Sequence, residues 1–230
     1  MVKNKKICVY CGKTGKISND HIPPKNLFPS PRPSNLITVP SCKECNEKAS
    51  KDDEYLRLVL FMRSDISDHP EVLKNKAKLQ RSLQKPEQQG FRASFLNSLA
   101  FVDSHTPAGI YLGKTNAFRV DMKRINNVIK RITRGLFYKE KGRRLPDNYQ
   151  VCCYIFDILN EHPYSLGILT MKDIITSTLQ GKSSTVGDDV FRYWCRFAID
   201  EENSSAMVLS FYNRVNFLAL TTPNKITAQN

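Results

Sequence analysis

The spacing of apolar residues changes several times along the chain, and each change predicts a different element. In the first 50 residues apolar positions are scattered, broken by Cys11-Gly12, Thr14-Gly15 and six prolines between Pro23 and Pro40. Proline lacks a backbone donor and clashes inside a helix, so this stretch can form only short pieces. Extended segments are predicted around Lys16 to His21 and around Leu36 to Val39. From Lys43 the spacing becomes helical and continues through Tyr55-Leu56, Val59-Leu60 and Met62. Asp68, Pro70 and Glu71 then make a helix start, with a cap, a first-turn proline and a capping-box acid. That helix is predicted to reach about Gln84, before Pro86, and a further helical stretch to cover Phe91 to Val102.

Beyond Pro107 the character shifts. Ile110 to Val120 reads as a hairpin turning near Gly113 to Asn116. Asp121 can cap a helix whose apolar stripe is Met122, Ile125, Ile129, Ile132 and Leu136. Val151 to Phe156 suits a buried strand, and Phe191, Tyr193, Cys195, Phe197 and Ile199 alternate as strand residues do. Met207 to Leu220 can supply two more strands, turning near Asn213.

These elements belong to a 230-residue chain with 40% apolar and 25% charged residues, ordinary values for a globular protein. No apolar run approaches the ~18 residues of a membrane span. The first ten residues hold no apolar stretch long enough for a secretion signal, so a cytoplasmic protein without membrane contact is expected. The formal net charge is +13 and it is concentrated: nine Lys/Arg against three acids in 1–50, nine against two in 121–144. Such concentration fits a nucleic-acid-binding surface. It also fits a solvated basic face with no partner.

Cysteine usage narrows the chemistry. Without a secretion signal, seven cysteines argue against a disulfide framework. Cys8/Cys11 and Cys42/Cys45 form two Cys-x-x-Cys knuckles, each able to clamp two corners of a tetrahedral Zn²⁺. Four thiolates close the shell, so that zinc would be structural. Cys152, Cys153 and Cys195 lie in apolar surroundings and read as reduced core residues. Gly-Lys-Thr at 113–115 and Gly-Lys-Ser at 181–183 lack the first glycine of a phosphate loop.

Between the knuckles stand Asn19-Asp20-His21-Ile22-Pro23-Pro24 and Asn35-Leu36-Ile37-Thr38-Val39-Pro40, and Cys42-Lys43-Glu44-Cys45 runs directly into Asn46. In that order and spacing, with Cys8-Val9-Tyr10-Cys11-Gly12 in front, residues 7–60 resemble the HNH endonuclease family. The family's ββα-metal fold is often braced by such a zinc. The resemblance implies that His21 is the general base and that Asp20 and Asn46 hold a catalytic divalent metal. It implies that Asn35 ties the loop together and orients the base by hydrogen bonding. An imidazole suits the base because its ordinary pKa of about 6.5 leaves it mostly neutral at cellular pH. Oxygen ligands favour Mg²⁺ or Mn²⁺. Ser50, one turn beyond Asn46, could add a ligand, although a serine hydroxyl is a poor one. Adjacent strand residues point to opposite faces, so Asp20 and His21 need a twist or bulge to serve one phosphate. The sequence departs from the family in having Asn46 where many members have His, and a proline loop from Pro23 to Pro33 in place of a glycine pair. His69, His105 and His162 fit no such pattern and read as loop or cap residues.

The expected fold is therefore α+β. A zinc-braced HNH module spans 1–62, a helical connector 63–106, and an α+β domain with an antiparallel sheet 107–230. The last would sense a signal, bind a protein partner or a second copy, or contact DNA. The expected function is metal-dependent hydrolysis of DNA phosphodiester bonds. Lys25, Arg32, Lys43 and Lys48 would contact phosphates, joined by Lys130, Arg131 and Arg134 of the second basic stretch. A restriction or phage-defence setting follows by analogy with other small nucleases. One reading from a different class also fits, a non-catalytic zinc ribbon that binds nucleic acid with an interaction domain behind it.

Overall fold

A computed structural model describes residues 7–106, 108–156 and 166–224, so His162 lies outside the described residues. Strands β1 (Ile17–Ile22) and β2 (Ile37–Cys42) pair antiparallel, and β2 runs directly into helix α1 (Lys43–Phe61). α1 has two characters. Its first half is polar, whereas every residue from Tyr55 to Phe61 is buried. A helix buried all round belongs in a core, and there its charge, Arg57, is paired with Glu54.

Helix α2 (Pro70–Leu83) starts where the sequence places it, but with a different cap. Arg214 engages Asp68, and the His69 Nδ1 accepts the Glu71 N–H at 3.2 Å instead. Helix α3 (Gln89–Asn97) stops short of Val102, because Leu99–His105 forms strand β3 against β4 (Tyr111–Phe118). The predicted hairpin is thus displaced, with its turn after His105 and Gly113 inside β4. Phe101, Val102 and Thr115 are residue types that a pleated surface accommodates better than a helix does.

Helix α4 (Met122–Lys141) begins at Asp121, whose carboxylate accepts the N–H groups of Lys123 and Arg124, and ends at Gly142 with φ of 69°. Its stripe is buried at Ile125, Ile129, Ile132 and Leu136, while Met122 at the open end is exposed. The remaining strands are β5 (Tyr149–Phe156), β6 (Ser183–Val186), β7 (Phe191–Phe197), β8 (Ser205–Phe211) and β9 (Val215–Pro223), with helix α5 (Leu166–Leu179) between β5 and β6. They form one antiparallel sheet in the order β5-β9-β8-β7-β6. β5 is an edge, which leaves Tyr154 and Ile155 exposed, and Ile199 lies beyond the end of β7, fully out of the core.

α4 holds the molecule together. It packs on α1, β1 and β2 on one side and on β5 and β9 on the other. Val9, Ile22 and Val39, Ile66, Val72 and Leu79, and the inner face of the sheet consequently belong to one hydrophobic core. Residues from all three segments delineated in the sequence thus contribute to that core. Gly135 marks the closest approach, since a Cβ there would lie 2.6 Å from Ile22 Cδ1. Gly135→Val is expected to lower stability by about 1–3 kcal/mol through overpacking, read as an earlier urea midpoint at unchanged slope. A wild-type midpoint would refute this close contact. Among the described residues no helix is long and apolar enough to cross a membrane.

Candidate functional site

The first knuckle is a tight turn. Cys8 N–H donates to Lys13 O, Gly12 N–H to Cys8 O, and Gly12 adopts φ of 72°, where an L side chain is strained. Val9 N–H donates to Pro40 O, docking the turn beside β2. The second knuckle needs no turn of its own, because Cys42 ends β2 and Cys45 lies in the first turn of α1. The four sulfurs converge to within 4.8 Å of one another, with Cys11 and Cys42 Sγ 3.7 Å apart. Zn–S bonds of roughly 2.3 Å in a tetrahedron demand sulfurs about 3.8 Å apart, so the cluster can hold a structural metal of this kind. Burial pushes the Cys8 thiol up, but backbone hydrogen bonds at Cys42, Cys11 and Tyr10 bring it down to about 6. Burial and the neighbouring thiols drive Cys45 upward. The Cys8 thiolate is thus favoured, whereas Cys45 would need a bound cation to be held deprotonated. Cys153 and Cys195 are half-buried, and burial raises both thiols to about 12, which suits inert packing.

Next to the cluster, at the end of β1, lies a cleft of about 220 Å³. Asp20 and His21 border it from β1, Lys25 and Asn26 from the following turn, and Asn46, Ser50 and Asp53 from α1. The last three recur at i, i+4 and i+7 and so share a helix face. The β1–β2 register runs from Ile17↔Cys42 to Ile22↔Ile37 without a shift, so Asp20 and His21 reach one cleft with no bulge. His21 is half-buried. Burial and the Lys25 charge hold its pKa below 6.5, against an upward pull from Asp20.

Asp20 is only 5% exposed, and its Oδ2 accepts the Tyr10 hydroxyl at 2.7 Å and Arg131 Nη1 at 3.2 Å. Its Oδ1 accepts no hydrogen bond among the described residues, and the residue borders the cleft. Asp53 Oδ1 accepts the other Arg131 nitrogen, Nη2. Burial pushes the Asp53 carboxyl up to about 6 even though Arg131 pulls it down.

Several sequence-derived assignments change. Asn35 does not orient His21: its Nδ2 donates to Thr185 O at 3.1 Å and its Oδ1 accepts Gly187 N–H at 3.2 Å, tying the proline loop to the β6–β7 turn. Arg131 is not a surface phosphate contact, since it is buried between two carboxylates. Arg134 is half-buried and donates to Tyr149 O. Of that trio, Lys130 remains exposed. Much of the second basic stretch is spent internally, with Arg124 on Asp52, Lys139 on Tyr193, Lys141 over the Phe197 ring, Arg143 on Glu202 and Arg144 on Asp147. Lys25, Arg32 and Lys48 are exposed, and Lys43 is exposed beside Glu47 at 3.5 Å. Lys25 and Arg32 lie close enough to His21 to depress its pKa.

Sequence reasoning missed Asp53, Asn26 and Tyr10. Asp53 was open to discovery, seven residues beyond Asn46 on the same helix face. Asn26 is held by Asp53 O and Glu54 Oε2, and Tyr10 reaches Asp20 across ten residues, contacts that no local pattern encodes. No protein-family model, curated protein or solved structure matches the chain.

Proposed function

We propose that the chain is an HNH-type, metal-dependent endonuclease that hydrolyses DNA phosphodiester bonds. The observation that carries this reading is the meeting of Asp20, His21 and Asn46 in one cleft beside a four-cysteine cluster. The donor sets fit the ions that such an enzyme uses. Four thiols suit a structural Zn²⁺, and the Asp20 Oδ1 together with the Asn46 amide offers oxygen to Mg²⁺ or Mn²⁺. A divalent ion there supplies charge neutralisation of the phosphate and stabilisation of the leaving oxygen.

The chain's own residues account for the remaining work. His21, whose neutral form is favoured by burial and by Lys25, takes the proton of the attacking water. Lys25 and Arg32 draw the phosphodiester to the same mouth without reading its sequence. Asp20 and Asn46, one on a strand and one on a helix, hold their oxygens on rigid elements rather than on a loop. Lys43 and Lys48, on the first turns of α1, extend the positive rim.

The test is nicking of supercoiled plasmid with Mg²⁺ or Mn²⁺. Conversion to open-circular or linear DNA is expected, and its loss on chelating the divalent ion. A purified, zinc-replete protein that cleaves with neither ion would overturn this reading in favour of a non-catalytic nucleic-acid-binding ribbon. The pH profile provides a second check. A depressed histidine pKa means that the base form appears at lower pH, so the acid limb of kcat/KM is expected below pH 6.5. A rate still climbing tenfold per pH unit above 7.5 would exclude His21 as the base.

A further inference from the structure

We infer that Tyr10 and Arg131 form a clamp on Asp20, acting as positioning residues that select which carboxylate oxygen faces the cleft and keep Asp53 out of the ligand set. The inference rests on the proposed nuclease reading and deepens it. Two donors from separate parts of the fold converge on a single atom, Asp20 Oδ2: the Tyr10 hydroxyl at 2.7 Å and Arg131 Nη1 at 3.2 Å. An aspartate carboxylate otherwise turns broadly about its last torsion. Charge-assisted bonds to one oxygen stop that rotation and present the other, Oδ1, to the cleft.

The same guanidinium reaches Asp53 through Nη2. A planar fork holds two carboxylates in one fixed geometry, which the rotating donors of an ammonium do not. Asp20 and Asp53 both border the cleft, and unbridged they would offer a divalent ion a second, chelating position between them. Arg131 occupies that position instead, being 8% exposed and brought in by α4. Tyr10 sits between Cys8 and Cys11, so the cysteine cluster and α4 both report to one carboxylate.

The experiment uses the full zinc-loaded chain, with Mn²⁺ binding followed by the electron paramagnetic resonance of free Mn²⁺, and zinc content and thermal melting measured alongside. Arg131→Met combined with Asp53→Asn removes one positive and one negative charge, so the net charge around Asp20 is unchanged while the guanidinium half of its restraint is lost. Mn²⁺ affinity is expected to fall about 10- to 100-fold with zinc retained, the usual cost of losing a partner behind a metal ligand. Tyr10→Phe preserves charge and nearly all volume, and is expected to weaken Mn²⁺ in the same direction with the fold and the zinc retained. It decides the matter if the double variant does not fold. Wild-type Mn²⁺ affinity in Tyr10→Phe or in a folded double variant would overturn the clamp and leave the nuclease reading standing. A wild type that binds no Mn²⁺ and cleaves plasmid with neither Mg²⁺ nor Mn²⁺ would overturn both.

Discussion

His21→Ala is expected to slow plasmid cleavage by about 10²- to 10⁴-fold, the usual contribution of a general base. Zinc content, melting temperature and DNA affinity are expected to stay close to wild type. The fold gives reasons for that separation. His21 is half-buried and borders the cleft, while the neighbours that anchor its strand are Asp20 and the fully buried Ile22. Ile22 packs against Gly135 of α4, so the strand's place is determined without the imidazole. Lys25 and Arg32 supply positive charge around the cleft independently of His21. DNA affinity measured by fluorescence anisotropy is the control. Cleavage at the wild-type rate would remove His21 from the mechanism. Loss of cleavage together with loss of fold would point to a packing role instead.

The second large effect concerns the cysteine cluster. Cys42→Ser is expected to lose one zinc equivalent and to lower the melting temperature by ten degrees or more, because metal binding at such a site is itself folding energy, of order 10 kcal/mol in isolated fingers. Complete unfolding is not expected, since Val9, Ile22 and Val39 share their core with α4 and the large sheet. Cleavage is expected to fall too, because the turn between Cys8 and Cys11 carries Tyr10 to Asp20. Elemental analysis and calorimetry on the same samples check both parts. A purified wild type with no tightly bound zinc would remove the zinc-braced reading.

Much of the site was legible in the sequence because its parts are local. A Cys-x-x-Cys knuckle closes within one turn, and Asp20-His21 ends the strand that pairs with the strand leading into Asn46. The α1 register then aligns Asn46, Ser50 and Asp53 by geometry alone. The proline loop was harder. Its path depends on Leu27 O accepting Asn75 Nδ2 and the Tyr212 hydroxyl, and on Asn35 meeting Thr185 and Gly187. Those partners lie 48 to 185 residues away, beyond any spacing rule.

By itself, then, the sequence determined the donor chemistry and the local elements: four thiols in two clamps, an oxygen-rich cleft with one imidazole, and α4 with its buried stripe. The thiol clamps and the α4 stripe follow from periodicity and short-range geometry, whereas the grouping of Asp20, His21 and Asn46 followed from the resemblance to HNH endonucleases. Only the tertiary structure decided which charges are available. Read along the chain, Arg131 is one more cation in a basic stretch. In the fold it is locked to Asp20 and Asp53, 111 and 78 residues distant. Burial makes that choice. Desolvating a guanidinium is tolerable only beside carboxylates, and which carboxylates it meets depends on how α4 packs across β1 and α1, something that composition and spacing do not encode.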